Sequence, residues 1–381
     1  MKICLFSHLA FTDSEFPLVR EYIKEGIDIA YYIQIYPYSL KGGLINIKEQ
    51  YPHNGIFPAK IYPEFLLYRD YINLDKVFVI NCTQKSSLHP YTIWTYLKFI
   101  RRVHKEKYTI VHISWPLQRI RMLLYLFAKR LVLTLHDPFP HSDKSNMEFE
   151  LCRKISTKFI DKIIMLNSRD VKKFSDYYKY PQNKIYINKM GDFNYLRMIK
   201  QTNPSIEHSY ILFFGYISPY KGVEYLMAAM DKVHEAFPNI MLVIAGGGEL
   251  YMDKMLYANK DYIVINNKYV DIPTLIGLLK KCLFVVCPYK DATQSGVIQT
   301  AFSLSVPVVA TNVGAMSMVI DDNITGRLVP PCSVNHLSDA IINLLENPKL
   351  LQQYRDNIKN KWSNEMGWEQ IVKKYLEIYE S

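Results

Sequence analysis

Short β-branched runs alternate with helical stretches from one end of the chain to the other. Residues 2–7 read as a strand, 16–25 as a helix stopped by Gly26, and 27–35 as the next strand. Runs at 77–81, 110–114, 130–135, 162–166 and 184–187 continue the series. The pattern then restarts. Strands at 209–214, 240–245, 262–265, 283–287 and 306–310 are interleaved with helices at 223–236 and from about 296, then followed by helices at 337–345, 349–361 and 369–379. Alternation of this kind predicts parallel sheets covered by helices, an α/β class. Two series of similar size predict two Rossmann-like domains. The polar run 200–205 is the candidate linker, and 381 residues suit two domains.

Composition narrows the function classes. Hydrophobic residues are 49% and charged ones 22%, a globular balance that excludes disorder. A membrane span needs about 20 mainly apolar residues; the stretch 122–135 is broken by Lys129 and Arg130. The opening residues 1–8 are too short an apolar run for a signal peptide and lack a small-residue cleavage site. The expected location is the cytoplasm, with the inner face of the membrane as one alternative. Six cysteines without C-x-x-C spacing read as reduced thiols. Charge is uneven: residues 1–200 hold 31 Lys and Arg against 18 Asp and Glu, and 201–381 hold 15 against 18. A basic first half suits an anionic membrane surface, a phosphorylated acceptor or nucleic acid. Nucleic acid is not expected, because the aromatics are dispersed rather than gathered with the cations.

In open α/β sheets ligands bind beyond the carboxyl ends of strands, so strand ends carry the candidates. Gly215 follows the strand 209–214, and Lys221 stands just before a helix, where unpaired N–H groups and the dipole favour a phosphate. The loop 288–298 leads into another helix, with Thr293 or Ser295 as N-cap and Gly296 open to close approach. Gln294 and Val297 flank these residues, and Gly246, Gly247 and Gly248 end the strand 240–245. A lone glycine cluster is a weak signal. In the first half, His136 and Asp137 end the strand at 135. His136 would hydrogen-bond a ligand hydroxyl or act as an acid–base group. Each feature alone also has a plain structural explanation, as a cap, a turn, a loop lysine or a core histidine.

In their order and spacing these segments resemble the family 4 glycosyltransferases. Gly215 with Lys221-Gly222, the run Pro307-Val308-Val309-Ala310-Thr311-Asn312-Val313-Gly314, and Thr325-Gly326-Arg327-Leu328-Val329-Pro330-Pro331 carry the likeness. Trp368, Tyr375 and Tyr379 resemble the family's closing helix. The resemblance implies a GT-B fold of two Rossmann-like domains facing across a cleft: 1–200 on the acceptor side, 201–365 binding the nucleotide sugar, and 366–381 crossing back. It also implies a retaining hexosyltransferase-like enzyme that uses a nucleotide-diphosphate sugar and no metal or other cofactor. A glycan or lipid-linked acceptor, in surface polysaccharide synthesis, is the expected setting. Glycine is scarce while Lys, Ile, Tyr and Asn are abundant, which suggests a bacterial genome rich in A and T. The resemblance assigns Lys221 and His136 to catalysis. It gives Gly215, Tyr216, Gly247, Gln294, Ser295, Gly296 and Val297 to the donor, and His8 and Asp137 to the acceptor side.

The chain also departs from the family. Tyr216 stands where the family has arginine. Ala292 and Thr300 occupy the places of its glutamate pair, and the loop reads Thr293-Gln294-Ser295-Gly296, resembling a branch with that sequence. A glycine pair expected after the first strand is replaced by Ser7-His8-Leu9-Ala10-Phe11. Two other readings therefore stay open: a non-catalytic relative that binds sugar nucleotides, and a sugar-nucleotide epimerase, although the carboxylate cluster that epimerisation would want is missing.

The segment 91–107 stands apart. Trp94, Leu97 and Ile100 are placed on one helix face, with Arg101, Arg102 and Lys105 at its end. Peripheral contact with an anionic membrane is one reading; a core helix with a solvated basic end is the other.

Overall fold

A computed structural model describes residues 1–139, 147–292 and 295–381. It separates into two compact units, Met1–Gly191 with Gly367–Ser381, and Asp192–Met366.

The first unit contains β1 (Lys2–His8), β2 (Asp28–Ile35), β3 (Gly55–Pro58), β4 (Val77–Asn81), β5 (Ile110–Ile113), β6 (Leu131–Leu135), β7 (Lys162–Met165) and β8 (Ile185–Ile187). Among the described residues they form one sheet in the order β3-β4-β2-β1-β5-β6-β7-β8. All neighbours run parallel except β3, which lies antiparallel on β4. The sequence reading missed β3, because Gly55-Ile56-Phe57-Pro58 sits between prolines and has no room for alternation. Its side chains are half-exposed, and an edge is where a strand ending in proline is tolerated. The helices are α1 (Thr12–Lys24), α2 (Pro63–Leu66), α3 (Pro90–Lys105), α4 (Leu124–Phe127), α5 (Met147–Ser156) and α6 (Val171–Tyr178).

Tyrosine accounts for much of this core, and burial of its ring favours a partner for its hydroxyl. The Tyr32 and Tyr108 hydroxyls meet at 3.1 Å, Tyr36 donates to Tyr96 at 3.3 Å, and Tyr96 donates to Gln34 Oε1 at 2.5 Å. Phe6, Tyr32, Phe99 and Ile113 pack around these pairs.

The second unit contains β9 (Tyr210–Phe214), β10 (Met241–Ala245), β11 (Ile263–Asn266), β12 (Val285–Cys287), β13 (Val308–Thr311) and β14 (Gly326–Val329), all parallel, in the order β11-β10-β9-β12-β13-β14. Its helices are α7 (Val223–Ala236), α8 (Ile272–Lys281), α9 (Gly296–Ser303), α10 (Val334–Glu346) and α11 (Pro348–Glu365). Near-continuous apolar strands such as Tyr210-Ile211-Leu212-Phe213-Phe214 are buried throughout, as a parallel sheet with two covered faces requires. Each such side chain contributes about 1.5–3 kcal/mol on burial.

The division falls before residue 192, not in the polar run 200–205, because the intervening segment bonds to the second unit. Asp192 N–H donates to Met366 O, Phe193 N–H to Ser303 Oγ, Arg197 Nε to Ser303 O and Thr202 N–H to Pro273 O. The last helix, α12 (Trp368–Glu380), packs on α1 in the first unit. The Tyr22 and Tyr379 hydroxyls lie 2.7 Å apart, and Arg130 and Lys162 donate to the carbonyls of Tyr379 and Ile378. Cations at those carbonyls suit the negative end of the helix. All six cysteines are free, and among the described residues no helix is long and apolar enough to cross a membrane.

Candidate functional site

The second sheet reverses its direction of growth at β9, which has β10 on one side and β12 on the other. Ligands of doubly wound sheets bind outside the carboxyl ends of the strands at such a reversal. The loops after β9 and β12 are two of the strand ends that the sequence singles out.

These loops are held together by backbone. Gly222 has φ +61°, and a Cβ there would lie 2.2 Å from Pro288 O, so only glycine allows this approach. Lys290 N–H donates to Tyr220 O at 2.7 Å. Gly246 supports the opposite flank: with φ +156°, a Cβ would lie 2.0 Å from Gly215 O. Ile217 N–H donates to Gly247 O at 2.9 Å.

Lys221 lies in the middle of this arrangement and is only 7% exposed. Its Nζ lies 5.3 Å from the Tyr289 ring centroid, and a Cβ on Gly215 would sit 3.0 Å from it. Burial lowers the Lys221 ammonium below the usual lysine range, with Cys287 opposing the shift. Among the described residues no carboxylate comes within ion-pair distance of it. A buried cation is normally paired; Val297, in the first turn of α9, comes close to the same glycine, Gly215, and the N–H groups of a first turn have no partner within the helix.

Ser295 caps α9, accepting from Ile298 N–H at 3.4 Å. A Cβ on Gly296 would meet nothing within 4 Å, and Val297 comes 3.4 Å from the same point over Gly215. The structure thus brings Gly215, Lys221 and Val297 together, with Ser295 and Gly296 next to them. Tyr216 is 67% exposed at the mouth. Gln294 and Thr293 lie outside the described residues. Ala292 is buried, and the Thr300 hydroxyl turns back onto Gly296 O at 2.7 Å.

In the first unit the growth reverses at β1, between β2 and β5. His8, the last residue of β1, and His136, after β6, both lie against Phe11: ring centroids are 4.5 Å apart for His8 and 4.4 Å, stacked at 27°, for His136. His8 also meets Trp115 at 4.9 Å. Burial pushes both histidines down to about 4, so both are neutral at pH 7 and suited to hydrogen bonding rather than to carrying a proton. Asp137 is exposed beside them.

Beneath this layer is a cluster that sequence reasoning missed. Glu15, on α1, is 3% exposed and accepts hydrogen bonds from Ser7, Tyr31 and Ser114. Burial raises its carboxyl to about 8 against the pull of these three hydroxyls. His112, lowered to about 3 by burial, lies 2.7 Å from Thr134 Oγ1 and 2.7 Å from the Tyr379 hydroxyl. Glu15, His112, Ser114 and His136 line a cavity of about 20 Å³, room for one water. The available signal for Glu15 was a carboxylate flanked by Phe16, Leu18 and Val19 on an otherwise apolar helix face. Tyr289 offered no such signal, since its ring meets Lys221 only through the fold.

Family comparison agrees with this architecture. A family described as "Glycosyl transferases group 1" matches residues 208–347, and one described as "Glycosyltransferase Family 4" matches 63–189. An uncharacterized glycosyltransferase of Methanocaldococcus jannaschii is 27% identical over 178 residues, covering 46% of this chain and 48% of that protein. The GDP-mannose:glycolipid 4-beta-D-mannosyltransferase of Xanthomonas campestris is 28% identical over 235 residues, covering 55% and 63%. The chain spans about half the length of the first curated relatives it matches. Among solved structures, Anabaena HepE in complex with UDP-glucose aligns with a TM-score of 0.70 at 14% identity, over 99% of both chains, a likeness of fold. With one glycosyltransferase family match in each unit, the chain has the GT-B fold of two α/β units.

Proposed function

We propose that this protein is a retaining glycosyltransferase that moves a sugar from a nucleotide-diphosphate sugar to a glycan or lipid-linked acceptor in surface polysaccharide synthesis. The observation that carries the reading is Lys221, a buried cation with no carboxylate partner among the described residues, at the strand reversal beside the start of α9. Such a position suits the diphosphate of a leaving group. The name of the Xanthomonas relative gives a nucleotide sugar as donor and a glycolipid as acceptor, and the Anabaena structure holds UDP-glucose. Both support this substrate class.

In the proposed step the bond from the anomeric carbon to the phosphate oxygen breaks as the bond to the acceptor oxygen forms. The departing phosphate oxygen takes the acceptor's proton on the same face, which retains configuration. Negative charge grows on the diphosphate. The Lys221 ammonium and the N–H groups at Gly296 and Val297 stabilise it, preorganised as the largest catalytic contributions usually are. His136, neutral at pH 7, is assigned to a hydrogen bond with a sugar hydroxyl. The step requires no enzymic nucleophile and no metal.

Ala292 and Thr300, which leave the loop without a carboxylate pair, favour a second reading as a sugar-nucleotide-binding protein without turnover. One assay separates the readings: nucleoside diphosphate release from UDP-, GDP-, ADP- and TDP-sugars, with and without glycan and glycolipid acceptors. Release that requires Lys221 supports the transferase. Donor bound but unchanged supports the binding protein, and isomerised donor without release supports an epimerase.

A further inference from the structure

The outer face of α3 is unusual for a helix that packs on a sheet. Its inner stripe, Tyr96, Phe99, Ile100 and Val103, is buried. Ile100 therefore belongs to the core and does not share the face of Trp94, as the sequence reading had placed it. The opposite stripe is apolar and exposed at its start: Tyr91 is 63%, Trp94 60% and Leu97 41% exposed. The same stripe continues into Lys98, Arg101 and Lys105, all exposed. No acidic residue occurs within α3, and Glu106 beyond its end is taken up by Lys2 at 2.7 Å. The patch extends onto α4, where Phe127 meets the His104 ring at 6.4 Å and is followed by exposed Lys129. Leu126, 65% exposed, widens it.

Exposed aromatic and aliphatic side chains grouped on one surface mark an interaction site. Here tryptophan and tyrosine, which prefer a water–lipid boundary, stand beside long cationic side chains, and α3 itself carries no carboxylate. That combination is complementary to acyl chains under anionic headgroups.

We infer that the α3–α4 face is a docking surface for an anionic lipid bilayer, with Tyr91, Trp94, Leu97, Leu126 and Phe127 entering the headgroup region and Lys98, Arg101, Lys105 and Lys129 contacting the headgroups. The inference does not depend on the donor site, and its test involves no turnover.

The test is co-flotation of the full chain with vesicles of phosphatidylcholine alone or mixed equally with phosphatidylglycerol. The protein floats with the mixed vesicles and stays behind with the neutral ones. Lys98→Glu/Arg101→Glu lowers vesicle affinity by at least roughly 25-fold, since each cation near the surface contributes about fivefold. Trp94→Ala/Phe127→Ala also loses flotation, at an unchanged melting temperature. Trp94 emission shifts to the blue on vesicle binding, and the shift is absent in Trp94→Phe. No flotation with mixed vesicles, or flotation indifferent to both double variants, overturns the inference. So does a dimer in sedimentation equilibrium that Trp94→Ala dissociates, because a second copy would then cover the face.

Discussion

Replacing Glu15 by glutamine tests the buried cluster of the first unit. The wild-type carboxyl titrates at about 8 in the folded protein and near 4.5 when exposed. The folded state therefore holds a proton that the unfolded chain gives up between these values. The stabilisation from that proton is fully present below pH 4.5 and is lost as pH rises through 8. Each pH unit within the window lowers stability by about 1.4 kcal/mol, so the 4.5-to-8 interval sets an upper bound of about 5 kcal/mol. Glutamine is neutral throughout, keeps the shape, and offers its oxygen to Ser7 and Tyr31 while its NH2 donates to the Ser114 hydroxyl. Urea unfolding of both proteins from about pH 5 to 9, followed by the near-ultraviolet signal of the tyrosine-rich unit, isolates the effect by difference. Glu15→Gln should gain on wild type by several kcal/mol across the window, with the gain levelling off above pH 8. A difference that does not change with pH would refute the reasoning, since the carboxyl would then be ionised throughout.

Three further outcomes follow from the geometry. Lys221→Met should raise the melting temperature while weakening donor binding, because it removes a buried cation with no carboxylate partner among the described residues; differential scanning calorimetry and a binding isotherm measure the two halves. Gly222→Ala places a Cβ 2.2 Å from Pro288 O at φ +61° and should cost about 1–3 kcal/mol in urea unfolding, with loss of donor binding. Tyr379→Phe removes the partner of both the Tyr22 hydroxyl and His112 Nδ1 and should destabilise by about 1–3 kcal/mol.

The sheets were legible in sequence because buried parallel strands are compact apolar runs, and β9 and β13 stand out as such. β14 was not read as a strand: Gly326-Arg327-Leu328-Val329 mixes glycine and a charged side chain into a sheet edge. The donor-side loops were legible as glycine and cap positions, but their convergence was not. That convergence depends on Gly222 meeting Pro288 and Gly246 meeting Gly215, contacts between residues far apart in the chain. On α3, spacing gave the amphipathic character but assigned Ile100 to the wrong stripe, because both stripes are apolar over the first two turns. Glu15 offers only the weak signal of a carboxylate among apolar neighbours, and His112 offers none. Their significance comes from hydroxyls on β1, β2, β6 and α12 and at the end of β5, which only the fold assembles.

The central claim is that a sugar nucleotide binds over Lys221. The direct test is isothermal titration of UDP-, GDP-, ADP- and TDP-sugars into the wild-type chain and into Lys221→Ala. One donor should bind the wild type, and the variant should bind it roughly 10- to 150-fold more weakly, the equivalent of one charge-assisted contact of about 1.5–3 kcal/mol. A donor that binds both proteins equally, or no binding by any of the four, would contradict the assignment.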